Sequence, residues 1–291
     1  MSFNKNKIEF LIFKLLEFFS SIFGLKNSYI IGTIVGLTFC YLIPVRKKTV
    51  YSNLQKAFPE YEKKKIKKLI RANYISIGTL FAEIMCVPRC TEREIFEKFE
   101  ADRELMIKNF THDKGVILLT GHFGNWELGA ILTGLILQKS INVLAKPQRN
   151  GYITDWLKEM RGKFGNKSVM LGTSVRELYS LLKKGEIAGV VGDQRGPIEG
   201  MRVNYFGYET AVYSGVAEIA VKTESKIVLC FVVRKPNKKY TLEMEEIDYK
   251  NFTGTSEDKV KMINVQYFSI LEKYVRLYPS QWFWMHKIWK Y

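Results

Sequence analysis

From Gly115 onward, short apolar runs alternate with stretches whose apolar positions recur at helical spacing. Val116–Thr120, Ile141–Ala145, Val169–Leu171, Ile187–Gly192, Lys226–Val233 and Tyr240–Glu245 read as strands. Helices are expected at 124–137, 151–164, 173–184 and 212–222. A further one, at 256–276, carries Val260, Ile263, Tyr267, Leu271 and Tyr274 along one face. Strand–helix–strand alternation of this kind predicts an α/β fold with a mostly parallel central sheet flanked by helices. The last two strands are joined by "KPNKK" and are expected to form an antiparallel hairpin at the sheet's edge. No repeat and no low-complexity segment interrupts the pattern.

The first hundred residues follow a different rule. In "IEFLIFKLLEFFSSIFGL", residues 8–25, Glu9, Lys14, Glu17, Ser20, Ser21 and Gly24 fall within an arc of about 140° on a helical wheel. The rest of the circumference is aliphatic or phenylalanine. Tyr29 to Ile43 then carries no charge; as a helix it would be about 22 Å long, short of the roughly 30 Å hydrocarbon core of a bilayer. Two apolar segments in series without a clear cleavage site argue against a signal peptide. They fit helices lying in the membrane plane better than a span. A further helix is expected from about Pro59–Glu60, ended by Pro88. The division this implies is 1–45 membrane-associating, 46–100 basic and helical, and 101–291 an α/β body with an aromatic tail.

Charge sharpens the picture. The chain of 291 residues is 47% apolar, enough for a sizeable core, yet carries a formal net charge of +16. Between Arg46 and Arg71 there are ten Lys/Arg against two Glu, directly after the most apolar segment. A basic block abutting apolar helices suits an anionic membrane surface, where each basic residue contributes about 1 kcal/mol. Nucleic-acid binding would instead call for basic and aromatic residues interleaved on a sheet, so no nucleic acid is expected. Cys40, Cys86, Cys90 and Cys230 form no CxxC pair, and with three histidines in the chain neither a metal site nor a cofactor is expected.

Polar residues at the carboxyl ends of parallel strands line the ligand crevice of such sheets. His122 follows the first predicted strand, Lys146 the second, and Asp193-Gln194-Arg195 the strand at 187–192. In "GHFGNWELGA" His122 and Glu127 would point about 140° apart on a regular helix. They can meet only if the histidine precedes the helix, with Gly121 and Gly124 permitting the turn. A carboxylate bonded to one ring nitrogen fixes the tautomer and raises the basicity of the other, which makes a general base for an alcohol. The G-x-S-x-G elbow, HExxH, the P-loop and GxGxxG are absent.

"GHFGNWE" resembles the HX4(D/E) signature of the bacterial lipid A late acyltransferases, within the wider lysophospholipid acyltransferase-like group. "NLQKAFPE", "KKGEIAGVVGDQRGP", "NYFGYETAVYSGVAEIA" and "QWFWMHKIWK" resemble further segments of that family, in its order and over nearly the whole chain. The resemblance implies a glycerol-3-phosphate-acyltransferase-like fold at the cytoplasmic face of the bacterial inner membrane. It implies acyl transfer from a thioester, on acyl carrier protein or coenzyme A, to a hydroxyl of an anionic glycolipid. His122 would be the base and Glu127 its orienting partner; Asp193 matches the aspartate of the family's Asp-Gln block. Lys146 stands where the family usually has Arg before Pro, with Arg149 a candidate substitute. Gln194 and Arg195 complete the expected substrate-binding set. The aromatic tail closes the core or anchors at a membrane interface, and His286 within it is expected to be packed rather than catalytic. The same chemistry on a lysophospholipid, aminoacyl lipid or other glycolipid remains open. So does a non-enzymatic basic protein that binds a membrane or nucleic acid.

Overall fold

The computed structural model describes residues 5–170 and 174–290. The chain begins with α1 (Lys5–Tyr41), α2 (Lys47–Ala57), α3 (Lys63–Cys86), α4 (Glu92–Glu97) and α5 (Arg103–Phe110). The alternating body follows: β1 (Val116–Thr120), α6 (Trp126–Leu137), β2 (Ile141–Ala145), α7 (Gly151–Gly162), β3 (Lys167–Met170), α8 (Ser174–Lys183) and β4 (Ile187–Val191). A hairpin, β5 (Arg202–Tyr205) and β6 (Tyr208–Ala211), precedes α9 (Gly215–Thr223), β7 (Lys226–Arg234), β8 (Tyr240–Ile247) and α10 (Ser256–Leu277).

The main sheet runs β3-β2-β4-β1-β7-β8, parallel throughout except for the β7–β8 hairpin at the edge. Alternation along each strand serves both faces. Ile117, Leu119, Ile227, Leu229 and Phe231 pack with α8, α9 and α10, whereas Val116, Leu118, Val228 and Cys230 pack with α5 and α6. The mostly parallel α/β sheet expected from periodicity is therefore present. The hairpin β5–β6 was not foreseen: its turn, Phe206-Gly207, has both residues at positive φ (54° and 80°), as a two-residue hairpin demands. It takes residues up to Ala211, so α9 starts at Gly215 rather than at 212. The third strand starts at Lys167, earlier than expected, and the expected Leu171 and Thr173 lie outside the described residues.

Helix α1 is kinked at Gly24, whose φ of 66° interrupts the helical backbone between the two apolar segments. Its polar side faces inward. Glu17, Ser20 and Ser28 are buried, while Leu11, Ile12, Leu15, Phe18, Phe19 and Ile22 are exposed. The distal half packs along α3 through Gly32 and Gly36 against Gly78 and Thr79, at a separation that leaves no room for a Cβ. Among the described residues one helical stretch, Lys63–Arg89, is long and apolar enough to cross a membrane, but most of it is buried inside the protein.

The tail after α10 is threaded back through the body. Asn73 Nδ2 donates to the carbonyls of Ser280 (3.0 Å) and Trp282 (2.7 Å), and Asn53 Nδ2 to those of Trp284 (2.9 Å) and His286 (2.8 Å). Trp282 and Trp284 are fully buried, so this part of the tail closes the core. Replacing Asn73 removes two hydrogen bonds at once: the half-buried Ser280 carbonyl loses its side-chain donor, and the Trp282 carbonyl keeps only the Trp284 N–H. Asn73→Ala is expected to cost about 2–4 kcal/mol, read as a lowered denaturation midpoint in detergent together with faster proteolysis of the tail.

Candidate active site

The site follows from strand register. Thr120 of β1 lies opposite Val191 of the adjacent β4, and each chain then runs two residues further, to His122 and to Asp193. His122 Nδ1 lies 2.6 Å from Asp193 Oδ1, and the His122 backbone N–H donates to Oδ2 at 2.7 Å. Trp282 Nε1 donates to the same Oδ2 at 2.7 Å. Burial by itself would push the Asp193 carboxyl up. The charge and hydrogen bond of His122, the charge of His286 and the Trp282 donor outweigh it and hold the group at about 2. An ionised Asp193 only accepts, so the His122 proton sits on Nδ1 and Nε2 is left as the acceptor. Burial opposes protonation of His122 too, but the Asp193 charge and hydrogen bond prevail and raise its pKa.

The turn itself is built by Gly124 and Asn125. Gly124 has a φ of 58°, and a Cβ there would run into the Val232 carbonyl oxygen. Asn125 caps α6, accepting from Leu128 N–H at 3.1 Å, which starts the helix at Trp126 and leaves His122 outside it, as the expected geometry required. The expected His122–Glu127 hydrogen bond is nevertheless not what forms. Glu127 Oε1 and Oε2 accept from Arg161 Nη2 (2.6 Å) and Nε (2.9 Å) of α7. Both partners are buried, and a buried carboxylate is best satisfied by the bidentate fork of a guanidinium. Asp193, expected to bind substrate, holds the imidazole instead.

An apolar cleft of about 340 Å³ opens beside the histidine. His122, Glu127, Lys146, Gln194 and Arg161 line it together with apolar side chains such as Trp126, Val143, Leu144, Trp156 and Val190. Lys146 and Gln194 thus share the cleft with His122, whereas two of the expected residues do not. Arg149 is paired with Glu9 of α1 at 2.9 Å, and Arg195 Nη1 donates to the Lys287 carbonyl at 3.1 Å. Both serve contacts between distant segments. His286 packs edge-on against Trp282, 4.7 Å between ring centroids; burial pushes it down to about 4, which leaves it neutral.

A family model described as bacterial lipid A biosynthesis acyltransferase matches residues 10–291. The chain belongs to that family. It is 27% identical to the lipid A biosynthesis lauroyltransferase of Escherichia coli K12, over 90% of this chain and 85% of that one. It is 22% identical to the E. coli palmitoleoyltransferase of the same pathway, over 89% and 84% respectively. Among solved structures, the 1-acyl-sn-glycerophosphate acyltransferase PlsC of Thermotoga maritima aligns with a TM-score of 0.38 at 16% identity, covering 89% of this chain and 99% of that one.

In this member of the family several supporting residues lay beyond sequence reasoning. Glu83 of α3, fully buried, accepts from Asn125 (2.9 Å), Tyr240 OH (2.6 Å) and Ser28 (3.4 Å), and pairs with Lys98 at 3.0 Å. It ties the helix cap beside His122 to α1, to α3 and to the edge strand. Gln281 locks the same turn: its carbonyl accepts from Gly124 N–H, and its side-chain amide bonds both ways with the Arg234 backbone. Gln281 and Trp282 stand in the aromatic tail segment, which was the available signal; Arg161 and Glu83 carry none.

The Glu127–Arg161 pair sets a quantitative expectation. Arg161→Met leaves a buried carboxylate alone and is expected to cost about 3–5 kcal/mol, whereas Glu127→Leu with Arg161→Met together should recover most of that loss. Chemical denaturation of the single and double variants measures the coupling; additive losses would show that the pair is not the unit described.

Proposed function

We propose that the chain transfers a fatty acyl group from a carrier thioester to a hydroxyl of a lipid A precursor, with His122 as general base. The observation that carries this reading is His122 held by the ionised Asp193 on Nδ1 while lining an apolar cleft. His122 Nε2 takes the proton of the acceptor hydroxyl as its oxygen attacks the thioester carbonyl carbon. The carbon–sulfur bond then breaks, and the imidazolium returns the proton to the departing thiolate. No acyl-enzyme is needed. Asp193 orients the ring and stabilises the imidazolium; Glu127 acts by holding Arg161 at the cleft wall and by adding negative charge near the ring. The cleft takes the donor's acyl chain, and Lys146 at its rim balances charge developing on the carbonyl oxygen or borne by a phosphate.

The membrane supplies the acceptor. The outward apolar face of α1, from Leu11 to Ile22, continues through Ile34 and Phe39 to Leu42 and Ile43, an exposed greasy surface too extensive for an aqueous interface. Beside it lie the lysines of α2 and α3, suited to anionic headgroups and to an acidic carrier protein. Leu11→Asp with Ile22→Asp is expected to shift the protein from anionic vesicles to solution in a flotation assay.

The catalytic reading is tested with purified protein, acyl carrier thioester and a lipid A precursor, with product followed by mass spectrometry. His122→Ala is expected to lower kcat by about 10²–10⁴; full activity would remove the mechanism. Because only neutral His122 accepts a proton, the rate falls as pH drops through its raised pKa. Asp193→Asn takes away the charge that raises it, so the acid limb of the profile should move to lower pH while the plateau falls. A limb that stays in place would separate Asp193 from the base.

A further inference from the structure

A second cleft lies on the far side of Phe81, whose ring also lines the first. Its volume is about 270 Å³, and its walls are Val35 and Phe39 of α1, Ile77 and Phe81 of α3, and Phe283 of the tail. Phe283 stands between this cleft and the base: its ring centroid is 6.0 Å from that of His122, and its backbone N–H donates to the His122 carbonyl at 2.9 Å. Arg46 is the charged residue of the lining. Its side chain is held by Nη1 donating to the Met285 carbonyl at 3.1 Å, and its backbone sits in the left-handed region at φ 55°, uncommon for a residue with a Cβ. The surrounding surface is apolar, with Leu42, Ile43 and Val45 exposed, and Lys47 and Lys48 follow directly.

We propose that this second cleft receives an acyl chain already carried by the acceptor lipid, and that Arg46 pairs there with an anionic group of the same headgroup. The inference rests on the acyl-transfer reading above and adds to it where the acceptor binds. Attack on a thioester carbonyl needs the hydroxyl to reach His122 from a side the donor chain does not occupy. The first cleft runs beside β2, β4 and α7 and touches α1 and α3 at Phe13, Ile84 and Met85; the second lies between other residues of α1 and α3, Val35, Phe39 and Ile77, and the tail, with Phe81 as the shared wall, so two apolar chains can flank one base. Phe39 and Val45 line the second cleft and are themselves exposed beside Leu42 and Ile43, so a lipid can enter it sideways from a bilayer without its chain crossing water. Charge complementarity with Arg46, Lys47 and Lys48 selects an anionic lipid over a neutral one.

Two measurements test this. With wild-type protein and no donor, a lipid A precursor bearing a diazirine in one acyl chain is irradiated and the labelled peptides mapped. Labels at residues 35–46 and 74–78 are expected. Labels within 143–157, shared equally between the two regions, or confined to neither would overturn the assignment. In steady-state kinetics, removing the acceptor's acyl chains should raise its KM about tenfold or more in the wild type. Val45→Trp, which fills the cleft mouth while keeping the carbonyl that accepts from Tyr74 OH, should abolish that difference and leave the donor KM unchanged. A changed donor KM, or a difference that persists, counts against the proposal. If labelling maps to the second cleft but the wild type turns over no glycolipid, it is the acyl-transfer reading that falls.

Discussion

One buried carboxylate organises the candidate active site of this molecule. Asp193 takes no solvent and accepts three hydrogen bonds, from an imidazole, a backbone amide and an indole, each from a segment remote from its own. An unpaired carboxylate in that position would be too costly to keep ionised. With three donors it stays charged, and its charge makes His122 a stronger base than an exposed histidine. Strand order supplies the geometry, because β1 and β4 are neighbours with their carboxyl ends in step.

The sheet was largely legible from periodicity. Buried parallel strands such as Val116–Thr120 and Ile187–Val191 are short continuous apolar runs, and their ends sit close to where the pattern placed them. What periodicity does not contain is strand order. Nothing local in "GHFGNWE" or "GDQRG" says that β4 lies beside β1, with β2 beyond it, and that adjacency decides which carboxylate meets the histidine. A five-residue spacing made Glu127 the visible candidate. Arg161, an unremarkable basic residue within an amphipathic helix, claimed it instead.

The first helix shows a second limit of pattern reading. Its narrow polar arc was found correctly, but the arc of a soluble amphipathic helix faces water, and here it faces the protein. Ser20 and Ser28 point inward because the interior offers them partners, the Met85 sulfur and Glu83, while the buried Glu17 is paired by Lys14 one turn earlier on its own helix. The greasy side is turned out, as it would be if the outer solvent were hydrocarbon. At its start the helix also touches the loop after β2, through Glu9 with Arg149 and Asn150 with the Asn6 carbonyl. The apolar surface and the rim of the cleft are therefore mechanically joined.

The indole that completes the Asp193 cage lies 89 residues further along the chain. A nascent polypeptide that has emerged just past β4 holds both members of the imidazole–carboxylate couple, yet the aspartate still lacks its third donor, and the histidine turn lacks the brace of Gln281. A chain that stops before Trp282 carries His122 and Asp193 without the indole and the Gln281 brace that hold them in place.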